Sequence, residues 1–236
     1  MGRKDQESFM IVAIDGPAGS GKSTTSRCVA DRLGFLYLDT GAMYRAATLT
    51  VLSNSVNVND DERIGASAEL MEIDFDRSGS RIFLNGSDVS REIRSQEVTD
   101  AVSAVSASAI VRKRMVDLQR KIAGNRDSVV EGRDIGTVVF PNADFKFFMV
   151  ADVTERAKRR KKDLAELGIE QTVEQVIEGL KRRDQLDSSR AISPLQRADD
   201  AVEIDTTAMT MNEQVDLIVT NLRERLERKE MQKSSD

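Results

Sequence analysis

The chain has 236 residues, of which 39% are hydrophobic and 32% charged, and its formal net charge is -5. This length predicts one sizeable domain with room for an inserted subdomain, and the acidic balance argues against a general nucleic-acid-binding surface. Histidine is absent and Cys28 is the only cysteine, which excludes a Ser-His-Asp triad, a histidine-ligated metal site and an internal disulfide. No long uncharged apolar run and no hydrophobic leader occurs, so we expect a cytoplasmic protein without a membrane partner.

The segment 16–23 matches the phosphate-loop pattern G-x-x-x-x-G-K-S/T, and it follows an apolar run that ends at Asp15. A glycine-rich turn that opens a helix can direct several backbone N–H groups at phosphate oxygens. Lys22 can reach the β- and γ-phosphates, and the Ser23 hydroxyl can bind Mg²⁺. The residues predicted to bind the nucleoside triphosphate are Gly16, Pro17, Ala18, Gly19, Ser20, Gly21, Lys22, Ser23 and Thr24.

In chain order, residues 1–8 are predicted to be a disordered lead-in, after which strands and helices alternate. Apolar runs predict strands at 9–15, 35–38, 128–130, 145–150 and 201–204. Helical periodicity predicts helices at 22–33, from the segment 39–45 to about 52, at 98–123 with a kink near 106–109, and at 153–167, 170–184 and 211–226. Residues 229–236 are expected to be frayed. Segments 39–45 and 185–197 are expected to be loops, and Cys28 is expected to pack in the core.

The alternation predicts an α/β fold with a central parallel sheet, in which the hydrophobic run 145–150 takes the centre. Residues 56–95 depart from it, because alternating apolar positions separated by turn residues predict an antiparallel hairpin. We therefore expect a single domain over 1–236 with an inserted subdomain at about 56–95.

Arg156, Arg159 and Arg160 share one helix face. Such a concentration of like charge favours a mobile segment that closes over an anion, although a solvated surface helix is the alternative.

Arg183, Asp187 and Arg190 are spaced to line one side of a continued helix. They fit either contacts to a phosphate and a sugar or an ion-pair network. Arg133 and Asp134, framed by Gly132 and Gly136, indicate either close approach to a ligand or a tight turn.

Five motifs in this order and spacing resemble those of bacterial cytidylate kinases over about residues 9–226: IDGPAGSGKS, LDTGAMYR, VSREIRSQEVT, VEGRDIGTVVFP and RDQLDSSRAISPL. The resemblance implies a P-loop nucleoside monophosphate kinase with a three-layer core, a monophosphate-binding insert and a short helical lid at about 153–168. It implies Mg-dependent transfer of the γ-phosphate of ATP to CMP or dCMP, giving ADP and CDP or dCDP, in pyrimidine nucleotide metabolism.

The resemblance also implies site roles. The residues it assigns to catalysis are Lys22, Arg133, Asp134, Arg156 and Arg160. Those it assigns to CMP are Thr40, where the family often has serine, and Arg45, Arg112, Arg133, Asp134, Arg183, Asp187 and Arg190. Lys22 and Ser23 would hold the phosphates and Mg²⁺ of ATP.

Two other functions are also compatible with a phosphate loop. A kinase of another small acceptor, such as UMP or shikimate, would use the same chemistry. A nucleotide switch of the GTPase type would be expected to show an N-K-x-D motif, and none occurs. We expect small-molecule substrates only and a monomer.

Overall fold

The computed structural model describes residues 9–58, 60–76, 78–166 and 168–233; the predicted lead-in 1–8 and the tail 234–236 lie outside them. Its centre is a parallel five-stranded sheet in the order β2-β6-β1-β7-β8. The strands of this sheet are β1 Ile11–Asp15, β2 Leu36–Asp39, β6 Ser128–Gly132, β7 Phe145–Val150 and β8 Val202–Asp205. The prediction for β7 was wrong by one place, because β1 is central and β7 lies between β1 and β8. Both positions are buried on two faces, so hydrophobicity alone does not separate them.

The helices lie on both faces of the sheet and make it the middle of three layers. Successive residues of β1 point to opposite faces: Ala13 packs into one apolar core and Val12 and Ile14 into the other. The helices are α1 Lys22–Leu33, α2 Thr40–Ser53, α3 Asp61–Glu69, α4 Gln96–Val105, α5 Ala109–Ala123, α6 Val153–Glu166, α7 Val173–Ser188 and α8 Met211–Lys233. Cys28 is only half-buried but packs against the core that α1 and α8 share. Among the described residues, no helix combines the length and apolarity needed to span a bilayer.

Several element boundaries differ from the predictions. The loop expected at 39–45 is the start of α2, because the Asp39 side chain caps that helix by accepting from the Ala42 N–H at 2.8 Å. The region predicted as one kinked helix is two, since Ser108 caps α5 separately. Helix α7 runs to Ser188, so Asp187 lies on a helix and not in a loop. Helix α8 continues to Lys233, beyond the predicted fraying point.

The segment 56–95 builds a second, antiparallel sheet of three short strands: β3 Ile73–Phe75, β4 Ile82–Leu84 and β5 Ser87–Asp88. The predicted hairpin is β3 and β4, whereas α3 in the same segment was not predicted. The turn between β3 and β4 touches the edge of the main sheet. A Cβ added at Gly79, which has a φ of 65°, would lie 2.5 Å from the Tyr37 carbonyl oxygen on edge strand β2.

Candidate active site

The phosphate loop lies between the end of β1 and the start of α1. Gly16 allows a close approach to β7, since a Cβ there would be 2.1 Å from the Met149 carbonyl oxygen. Gly21 precedes α1 in the left-handed region, with a φ of 93°. Lys22 is buried, and its Nζ donates to the Pro17 carbonyl at 2.8 Å. The loop therefore has the shape to hold phosphate on backbone N–H groups, with one ammonium beside it.

Three carboxylates stand at the carboxyl ends of β1, β2 and β6: Asp15 and Glu131 lie near Lys22, and Asp39 lies near Glu131. Asp15 accepts from the N–H groups of Ile135 at 2.9 Å and Gly136 at 2.8 Å, so both of its oxygens are occupied. Asp39 caps α2 with one oxygen and pairs with Arg45 through the other at 3.3 Å.

Glu131 is the third carboxylate of this group and is 3% exposed. Its Oε1 accepts from the Tyr37 hydroxyl at 2.9 Å, while its Oε2 is buried without a hydrogen-bond partner among the described residues. A buried carboxylate oxygen without a partner is costly, so Glu131 has capacity to receive a donor from a ligand or its hydration shell.

Burial shifts the pKa values of Asp15, Glu131 and Lys22. Burial raises the pKa of Asp15 to about 6. It also raises the pKa of Glu131, with Asp39 adding to the effect. Burial lowers the pKa of Lys22, and the Arg133 guanidinium lowers it further. A phosphate bound beside Lys22 would oppose both effects by favouring the charged ammonium.

A cluster of arginines surrounds Asp187, which is 2% exposed. Arg133 Nε donates to Asp187 at 2.9 Å, Arg190 pairs with its other oxygen, and Arg183 Nε lies 4.0 Å away. Burial by itself would raise the pKa of Asp187, but the arginines, Arg133 foremost, hold it below its usual value. Burial and the neighbouring Arg133 lower the pKa of Arg183 to about 9. One carboxylate thus faces three guanidinium groups, which leaves a strongly positive site for an anion.

The second helix and the helix after β7 contribute further cations. Arg160 on α6 is half-buried. Burial lowers its pKa, Asp163 opposes this effect, and the nearby guanidinium groups of Arg45 on α2 and of Arg94 lower the pKa further. Thr40 is buried, and its hydroxyl donates to the Glu131 carbonyl at 2.7 Å. The structure therefore brings Arg45, Arg133, Arg160 and Arg183 together from four separate parts of the chain.

A separate buried pair lies behind this cluster. Arg112 on α5 pairs with Asp134, and its Nη1 donates to the Ser106 carbonyl at 3.2 Å. Arg190 Nη2 donates to the Ser106 hydroxyl at 3.0 Å, which connects this pair to Asp187. The predicted pair Arg133 and Asp134 therefore divides, with Arg133 facing the arginine cluster and Asp134 facing Arg112.

Arg156 has a different surrounding from Arg160. It is buried, donates to the Ala18 carbonyl of the phosphate loop at 3.1 Å and pairs with Asp184 on α7 at 2.7 Å. Helix α6 is thus attached to the phosphate loop in this structure.

A family model described as cytidylate kinase matches residues 12–224. The chain belongs to the cytidylate kinase family. Cytidylate kinases from three organisms align over most of this chain. The one from Caldanaerobacter subterraneus subsp. tengcongensis is 49% identical over 212 residues, covering 90% of this chain and 94% of its own. The one from Fusobacterium nucleatum is 47% identical, covering 89% and 95%. The one from Halalkalibacterium halodurans is 44% identical, covering 92% and 99%.

Sequence reasoning missed three side chains at the site of this cytidylate kinase family member. Glu131 and Tyr37 were not singled out, and Arg159 was named as a helix-face residue without a role. Arg159 donates to the Thr206 carbonyl at 2.7 Å and so ties α6 to the loop after β8. Of these three, only Glu131 could have been found from the sequence, since it is a carboxylate directly after the apolar run 128–130.

Proposed function

We propose that this protein transfers the γ-phosphate of ATP to CMP or dCMP, giving ADP and CDP or dCDP, with Mg²⁺, in pyrimidine nucleotide metabolism. The observation that most supports the proposal is the closeness of two positive sites. Arg133 and Arg183 lie near enough to Lys22 to lower its pKa. A triphosphate on the phosphate loop and an anion on the arginine cluster would therefore meet at one place.

The chemistry needs positioning and charge more than a general base. The attacking oxygen of a monophosphate is already anionic near neutral pH, which suits a protein without histidine. Lys22, Arg133, Arg160 and Arg183 can oppose the charge that spreads over the transferring phosphoryl group. Losing one such arginine should lower turnover by roughly 10²- to 10⁴-fold.

The residues present fit a magnesium ion held chiefly by nucleotide phosphates. Ser23 is exposed at the start of α1, and the buried Glu131 carboxylate lies close to its hydroxyl. Mg²⁺ prefers such oxygen ligands and commonly keeps several waters. When bound, the ion would reduce the negative charge on the phosphates.

The acceptor phosphate is assigned to Arg45, Arg133 and Arg183, whose planar donor groups suit phosphate oxygens. Asp187 is assigned to the sugar hydroxyls. Both of its oxygens already accept from arginines, but a carboxylate has about four acceptor positions, so it can still accept from a hydroxyl.

The base is assigned to Arg112 and Asp134. Cytosine presents an amino donor at C4 beside ring acceptors, which matches a carboxylate beside a guanidinium. Uracil presents a carbonyl at C4 instead, which would face the Asp134 carboxylate unfavourably. Arg112 Nε is buried without a hydrogen-bond partner among the described residues, so it has a donor available for the base.

The proposal is tested by measuring ADP release with CMP, dCMP, UMP, AMP and GMP offered in turn. CMP and dCMP should give the highest kcat/KM. If UMP or AMP were phosphorylated faster than CMP, the base assignment would be wrong while the kinase fold would be unaffected. A monomer in the cytoplasm with small-molecule substrates only stays our prediction, and light scattering tests the monomer.

A further inference from the structure

The plane of the Arg112 guanidinium must be held in place if this side chain is to contact a base. Its guanidinium is 3% exposed and is held at its edge by Asp134 and by the Ser106 carbonyl at 3.2 Å. Edge contacts of this kind do not by themselves prevent the guanidinium plane from tilting. A donor aimed at a base must be held in plane, since a hydrogen bond weakens steeply as its angle departs from linear.

The face of the same guanidinium is covered by Tyr44. Arg112 Cζ lies 5.3 Å from the centre of the Tyr44 ring, within the range of a cation–π contact. Tyr44 is 8% exposed and immediately precedes Arg45 on α2. Helix α2 therefore supplies a cover for the base-side arginine and an arginine for the phosphate side.

The contact is made through the ring and not through a charged oxygen. Burial raises the pKa of Tyr44 to about 12, so the phenol stays neutral at any pH at which the enzyme would work. The attraction is then that of a cation for an aromatic face, which strengthens when both groups are removed from water.

We propose that Tyr44 is a positioning residue for base selection, whose ring holds the Arg112 guanidinium in the plane from which its Nε–H and the paired Asp134 meet the pyrimidine. The inference rests on the proposed function, in which Arg112 and Asp134 contact the base. It assigns Tyr44 an effect on the choice between cytosine and uracil, and no effect on ATP.

The test compares Tyr44→Leu, which removes the ring, with Tyr44→Phe, which keeps it. We expect Tyr44→Leu to lower the ratio of kcat/KM for CMP to that for UMP by about tenfold or more, because a desolvated cation–π contact is lost. Tyr44→Phe should keep the ratio within about threefold of the wild type, and the KM for ATP should change less than about twofold in both. Tyr44→Met, which fills similar space, takes the place of Tyr44→Leu if the latter does not fold.

Val51→Ala is the matched control, since Val51 is fully buried on the same helix and packs in the apolar core. It should lower stability without altering the CMP to UMP ratio. If Tyr44→Leu lowered kcat/KM for CMP and UMP equally, or if Tyr44→Phe lost as much selectivity as Tyr44→Leu, the positioning role would be overturned.

A second measurement does not depend on turnover. The ¹⁵N NMR signal of the Arg112 Nε–H, assigned with Arg112→Lys, should carry a ring-current shift in the wild type and in Tyr44→Phe, and lose it in Tyr44→Leu. An unchanged Arg112 signal in Tyr44→Leu would overturn the inference. A wild-type enzyme that does not prefer CMP would instead contradict the proposed function, and the NMR comparison would still decide whether the ring holds Arg112.

Discussion

Asp15 joins the two halves of the site through a single side chain. It ends β1, directly before the phosphate loop, and its oxygens accept from Ile135 and Gly136, directly after Asp134. Burial raises its pKa to about 6 from an ordinary 3.8. The folded protein therefore holds this proton more tightly than the unfolded chain does, which adds to the free energy of unfolding. The added stability is fully present below about pH 4 and is lost as the pH rises through about 6.

Asp15→Asn should therefore destabilise the protein in a pH-dependent way. The new side-chain NH₂ group would face the backbone N–H of either Ile135 or Gly136, so that two donors would meet without an acceptor. We therefore expect a loss of about 1–3 kcal/mol in the free energy of unfolding. That loss should be about 1 kcal/mol larger at pH 5 than at pH 7, since the wild type alone has the raised pKa. Urea unfolding at the two pH values measures it; an equal loss at both would show that Asp15 does not titrate as described.

Candidate site residues stand out in the sequence where a local motif carries their chemistry. Lys22 and Ser23 follow from a pattern of eight adjacent positions, and Arg133 and Asp134 from a glycine-framed turn. Tyr37 and Tyr44 do not stand out in this way, because their partners, Glu131 and Arg112, lie far away in the chain and the contacts exist only after folding.

Among the elements, the hairpin of β3 and β4 contacts the main sheet through its turn. Gly79 in its turn packs on the Tyr37 carbonyl of β2, and the Tyr37 hydroxyl donates to Glu131 beside Lys22. The inserted sheet therefore rests on the strand that also supports a carboxylate of the phosphate site.

Gly79→Ala should disturb this contact, with Gly86→Ala as the matched control. Both glycines have positive φ, at 65° and 81°, but an added Cβ at Gly86 meets nothing within 4 Å. Both variants should lose about 1 kcal/mol of stability from backbone strain, and Gly79→Ala should lose more because its Cβ would lie 2.5 Å from a backbone oxygen. Only Gly79→Ala should also raise the KM for CMP, by about fivefold, with the KM for ATP unchanged. Equal KM values for CMP in the two variants would argue that the hairpin contact is irrelevant to acceptor binding.

Element types were more predictable than element ends. The inner strands β6, β1 and β7 were anticipated from their apolar runs, because burial on two faces demands such a run. The edge strand β8 has only a short one, in which exposed Glu203 and Asp205 alternate with Val202 and Ile204. The end of α7 was placed too early because Gln185, Asp187 and Ser188 are polar and Leu186 is exposed, so no apolar face continues there, yet Asp187 is buried by the arginines around it. Helix α3 was missed because its apolar face is short, only Ile64, Gly65 and Ala68 being buried.

For the whole molecule, charge is distributed unevenly. The net charge is -5, yet the site concentrates guanidinium groups around Asp187. An anion bound there should relieve their repulsion and bridge α2, α7 and the loop after β6.

CMP should accordingly stabilise the protein without ATP. At about 100 times its dissociation constant, a ligand adds about 2.7 kcal/mol, which for a chain of this size corresponds to a rise in Tm of about 5–10 °C. Cytidine at the same concentration should raise Tm by less than about 2 °C, because it lacks the phosphate. Differential scanning calorimetry measures both. If cytidine matched CMP, the arginine cluster would not be the main source of acceptor affinity.

The attachment of residues 135 and 136 to Asp15 also bears on accuracy in the reaction. In-line transfer requires the attacking oxygen and the transferred phosphorus to be held roughly 3–3.5 Å apart and aligned. Here one rigid strand end fixes the phosphate loop through a peptide bond and the Arg133 loop through two hydrogen bonds. The inserted sheet and α6 reach the site through other contacts: Gly79 lies against the Tyr37 carbonyl, and Arg156 donates to the Ala18 carbonyl. A substitution in the inserted sheet should therefore change the KM for CMP more than the kcat, because the alignment of the phosphates depends on the end of β1.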